Sequence, residues 1–140
     1  MSNSQAATTG KSSTFTGLPS GIVPYVAILA ALVSAAIHLW LAPVVIEFDT
    51  MQAVLFVLAA LGFIGGIGVF LTRYWRQEFY PVAILFSLAQ IIAFFVLEGP
   101  LSNLAIASKT AEAVFIVAAA YLYVSGGRGD QAVTSSQPES

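Results

Sequence analysis

The chain has 140 residues, of which 58% are hydrophobic and only 9% charged, against roughly 45–50% and 25% in soluble domains. Such a chain has too little polar surface to cover itself in water, and its mean hydropathy of +0.87 makes lipid part of its solvent. A net charge of −2 with five Lys and Arg in all leaves no basic stripe for nucleic acid, and the absence of Cys removes disulfides, thiolate metal sites and Cys nucleophiles.

Residues 1–20 (MSNSQAATTGKSSTFTGLPS) are rich in Ser, Thr, Asn, Gln and Gly, and read as a disordered cytoplasmic tail. Residues 21–125 read as an all-α, polytopic membrane domain: a four-transmembrane-helix bundle with spans at about 22–42, 51–72, 79–98 and 104–125. Residues 126–140 repeat the composition of the first tail and open on a Gly pair suited to ending a helix.

The first span carries no formal charge, with Pro24 in its first turn and Pro43 as its expected stop. Its apolar run is too long for the h-region of a cleaved signal peptide, the alternative raised by Lys11 and the small residues near Ala35. The second, Met51 to Leu71, is polar only at Gln52 and ends at Arg73–Tyr74–Trp75–Arg76. The third is interrupted only by Ser87 and Gln90 and closes on Glu98–Gly99–Pro100.

The purely apolar part of the fourth, Ala113–Val124, is too short to span alone. Extension back to Leu104 supplies the length and brings in Lys109 and Glu112, three apart and able to neutralise one another, with Lys109 free to snorkel towards the headgroups. A re-entrant or surface-lying segment is the alternative.

Arg73 and Arg76 place the loop between spans two and three in the cytoplasm by the positive-inside rule, and both termini with it. Tyr25, Tyr74, Trp75, Tyr80, Tyr121 and Tyr123 then form an inner aromatic belt, and Trp40 an outer anchor. PYVAILAALVS at 24–34 is echoed by YPVAILFSLAQ at 80–90, the mark of a duplicated hairpin if it is more than shared composition.

Candidate chemistry is sparse. Gly62 and Gly66 form a GxxxG pair in LGFIGGIG, for which packing inside the bundle and a dimerisation face are the two readings. His38 is the only imidazole; alone it makes no metal site, and haem ligation has no other support. His38, Gln52, Gln90, Glu98, Asn103, Lys109 and Glu112 all fall on the outer side of this topology. Polar groups at membrane depth read as a site for an ion or small solute, or as structural pairing near helix ends. Hydrolytic triads, P-loops, dinucleotide fingerprints and HExxH are absent, so neither an enzyme nor a cofactor is expected.

The stretches AAIHLWLAPVVIEF, RYWRQEFY and FFVLEGPLSN with ASKTAE resemble those of uncharacterised small four-span membrane proteins of halophilic archaea, over about residues 21–125. The resemblance rests on His38, Leu39 and Pro43, on Arg73 and Arg76, and on Lys109 with Glu112. It implies a four-helix bundle and no particular activity. The expected partners are the lipid bilayer and either further copies of the chain or another membrane subunit. The leading functional expectation is a non-enzymatic accessory or scaffold subunit; the alternative is a small-solute or ion carrier.

Overall fold

The computed structural model describes residues 14–97 and 99–126. Among them the chain forms four helices: α1 (Val23–Val45), α2 (Thr50–Phe70), α3 (Phe79–Val96) and α4 (Asn103–Val124). Their 18 to 23 residues correspond to about 27–35 Å of helix, and all four are long and apolar enough to cross a membrane. The protein is a multi-pass membrane protein.

Local chemistry sets the boundaries. Asp49, with extended backbone, caps α2 by accepting from the Gln52 amide at 3.0 Å, and Ser102 caps α4 by accepting from the Ala105 amide at 3.1 Å. Pro24 lies in the first turn of α1, as expected, but Pro43 does not stop the helix. It sits in the last turn, where its ring costs only the bond to the Leu39 carbonyl, and the Ile46 amide closes the helix on Ala42 at 3.0 Å. Past α4, Gly126 takes the left-handed conformation (φ 91°), which glycine adopts without a Cβ penalty.

One part of the expected amino-terminal tail has structure. The Arg73 amide donates to Thr14 and the Thr16 amide to Leu71, so Phe15 and Thr72 form an isolated antiparallel bridge. The Thr-rich stretch suits extended backbone and meets groups left open where α2 ends. The remainder of both expected tails lies outside the described residues.

The bundle reverses the size order of a soluble core. Its interior is built from alanine, on α1 (Ala27, Ala31, Ala35), α2 (Ala59, Ala60) and α4 (Ala111, Ala118, Ala119), while Leu29, Leu58, Leu85 and Val117 face outwards. Lipid tails solvate leucine as well as another helix does, so close contact between small residues supplies the packing energy. α1 is the centre, packed on both α2 and α4, and α3 leans on α4.

Large aromatics fill the end nearest the α2–α3 loop: Phe70, Trp75 and Tyr80 meet edge to face, with ring centroids 5.0–6.3 Å apart. Tyr80 is therefore a core residue, and Trp75 packs, partly buried, against the same cluster. Further along, Phe63 meets Phe86 and Phe115 at 5.3 and 5.6 Å.

Candidate functional site

Beyond the Phe63 layer the interior turns polar where α1 meets α4. Glu112 lies nine residues past the start of α4, about 14 Å along the helix, and has no solvent exposure at all. A carboxylate there must be paired and fully hydrogen-bonded to persist as an ion. Helical spacing supplies part of the shell from α4 itself: Ser108, one turn back, donates to Oε1 at 3.1 Å, and the Lys109 ammonium reaches Oε1 and Oε2 at 2.8 and 2.7 Å. α1 supplies the rest. Ser34 donates to Oε1 at 3.1 Å, and His38 brings Nε2 to 3.7 Å from the same oxygen.

The imidazole orientation follows from one bond. His38 Nδ1 lies 2.8 Å from the Ser34 carbonyl, which can only accept, so Nδ1 carries a proton. In the neutral ring Nε2 is then a lone pair, 3.7 Å from the carboxylate oxygen and beyond hydrogen-bond reach of it. The Phe56 edge meets the ring at 5.2 Å and holds it in place. From α3, Ser87, itself fully buried, donates to the Glu112 carbonyl at 3.4 Å.

Next to this centre is a cavity of about 90 Å³, lined among others by His38, Gln52, Gln90, Phe94, Ser108 and Lys109. The Lys109 ammonium sits 5.6 Å from the centroid of the Phe94 ring, over its aromatic face. Gln90 is the exception to an otherwise satisfied site. Both its Oε1 and its Nε2 are buried without a hydrogen-bond partner, an arrangement that costs of order 1–3 kcal/mol per group unless something bonds to it.

Of the residues singled out in the sequence, His38, Lys109 and Glu112 come together directly, and Gln52 and Gln90 complete the cavity wall. Asn103 stays exposed at the start of α4, away from the cluster. Glu98 lies outside the described residues. Sequence reasoning left out Ser108 and gave Ser87 no role; the i, i+4 spacing of Ser108 to Glu112, like that of Ser34 to His38, was the available signal. Among the described residues no three His, Asp or Glu side chains gather as metal ligands. Gly62 is covered by the Phe86 ring, whereas Gly66 borders open space.

A family model described as "Family of unknown function (DUF7475)" matches residues 9–123. The chain belongs to DUF7475. The match takes in all of α1, α2 and α3, and α4 to within one residue of its end, so the Ser34–His38–Lys109–Glu112 centre is part of the DUF7475 region. No curated protein and no solved structure matches this DUF7475 chain.

Proposed function

We propose that the protein is a cell-membrane protein that binds a small hydrogen-bonding solute in its outer half, without covalent chemistry. The unpartnered Gln90 carboxamide facing a cavity of about 90 Å³ carries this reading. That volume holds a few waters or a solute of a few heavy atoms. Gln90 offers one acceptor and two donors, and Lys109, already committed to Glu112, adds residual positive potential on the cavity wall. A neutral or singly negative solute fits; a cation does not.

Thermal unfolding in detergent with formate, acetate, bicarbonate and urea as probes tests the idea. One of them should raise the midpoint of the native chain and leave Gln90→Leu unmoved. No shift with any probe, or the same shift in both proteins, would count against it.

Arg73 and Arg76 support an orientation with the α2–α3 loop in the cytoplasm. Reporter fusions at residues 77 and 101 should read inside and outside respectively.

A second reading, an accessory subunit acting by helix association, draws on α3, which has α4 as its main neighbour and leaves Val82, Leu85, Ile92 and Phe95 exposed. Stoichiometric co-purification of another polypeptide after gentle extraction would favour it over solute binding.

A further inference from the structure

α2 and α3 are consecutive, yet their backbones do not pack against each other. Two ring contacts bridge them: Phe70 meets Tyr80 near the loop, and Phe86 seats its ring on Gly62 and against Phe63. Between the two helices lies an apolar cleft of about 390 Å³, floored by Ala27, Ala31 and Ala119. On the α2 wall Gly65 and Gly66 present bare backbone, and a methyl group built on either meets nothing within 4 Å.

One end of the cleft is chemically different. Trp75 and Phe79 line it there, and the indole Nε1 of Trp75 is buried with no acceptor. Arg76, exposed, stands between those two residues in the chain, and Arg73 precedes them. An N–H donor at one end of a dry slot, with the exposed Arg76 next to it in the chain, suits a lipid: a negative oxygen-rich head on a long apolar tail. The occupant's charge is set by Arg73 and Arg76 against the single Glu78 in the same loop.

We propose that this cleft is a binding site for an anionic phospholipid, one hydrocarbon chain lying against Gly65 and Gly66 and its phosphate region meeting the Trp75 N–H and the Arg76 guanidinium. The site is separate from the Glu112 centre, with which it shares no lining residue. Glycines at 65 and 66 keep the chain's path open; any larger side chain there projects into it.

The test uses the full chain carrying Trp40→Phe, which leaves Trp75 as the only tryptophan. It is reconstituted in phosphatidylcholine vesicles containing a small fraction of either phosphatidylglycerol or phosphatidylcholine with chains brominated near the carbonyl end, which quench indole fluorescence on contact. The anionic lipid should quench at about a fivefold lower mole fraction, the ratio that one basic contact gives. Arg76→Gln, a surface change, should abolish that preference, and Gly66→Leu should reduce quenching by both lipids.

Equal quenching by the two headgroups in the parent protein overturns the proposal. So does quenching by the anionic lipid that Gly66→Leu leaves undiminished, because general attraction to a basic loop then accounts for it. A stable dimer in which Trp75 is shielded from both brominated lipids assigns the cleft to a second copy instead.

Discussion

Replacing Glu112 by Gln isolates the ion pair at the centre of the bundle, because size is kept and only charge is lost. The Lys109 ammonium, 18% exposed, then has no anion, and a buried pair broken on one side costs about 3–5 kcal/mol. Ser34 and Ser108 keep an acceptor in the amide oxygen, so the lower end, about 3 kcal/mol, is expected. Lys109→Met leaves the carboxylate with two hydroxyls and one imidazole, again about 3 kcal/mol on the same grounds. The double variant removes both charges and retains a hydrogen-bonded amide, at a cost of about 1–2 kcal/mol. The two changes are therefore non-additive, with a coupling above about 2 kcal/mol. Equilibrium unfolding in mixed micelles, followed by circular dichroism, measures all four proteins. Additivity within about 0.5 kcal/mol would falsify the claim that the pair acts as one dry unit.

Other changes separate neighbouring positions. Gly62→Ala forces the Phe86 ring aside and should destabilise by about 1–2 kcal/mol, whereas Gly66→Ala, facing open space, should be neutral or stabilising by up to about 1 kcal/mol in the same assay. Ser34→Ala deletes a donor to Glu112 and should cost about 1.5–3 kcal/mol in the parent, where the acceptor is charged, against about 0.5–1.5 kcal/mol in Glu112→Gln/Lys109→Met, where it is an amide oxygen, and the difference is read as another coupling energy. Ala60→Leu, at a position with no exposure, should pry α2 from α1 and lower stability by about 1–3 kcal/mol. Ala120→Leu, at a half-buried position one residue from the packed pair Ala118 and Ala119, should cost less, and the ordering is the check.

The four helices were legible because a charge-free run of about twenty residues has few alternatives, and Asp49, Ser102 and Gly126 mark ends by local chemistry. Pro43 was misread because a proline removes one hydrogen bond, which the last turn can do without. The pairing of Lys109 with Glu112 is written in their spacing, but its depth is not. Helix-end position implied water nearby, and only the packing of α1 on α4 closes the carboxylate off. The packing of Trp75 and Tyr80 on Phe70 is not legible in the sequence, where amphipathic rings next to a basic loop signal only a preference for headgroups. The α2–α3 cleft had no sequence signature, since Gly65 and Gly66 serve equally for close packing and for leaving space.

The carboxylate seam between α1 and α4 also constrains biogenesis. α4 is the least apolar of the four helices, and Glu and Lys each weigh against membrane insertion by roughly 2.5–3.5 kcal/mol near a helix centre. Ser34 and His38, the groups that complete the Glu112 shell, lie 78 and 74 residues before it in the chain and are synthesised first. Insertion of α4 is therefore expected to depend on α1, and loss of Ser34 and His38 together should lower the fraction of chains in which α4 spans the bilayer.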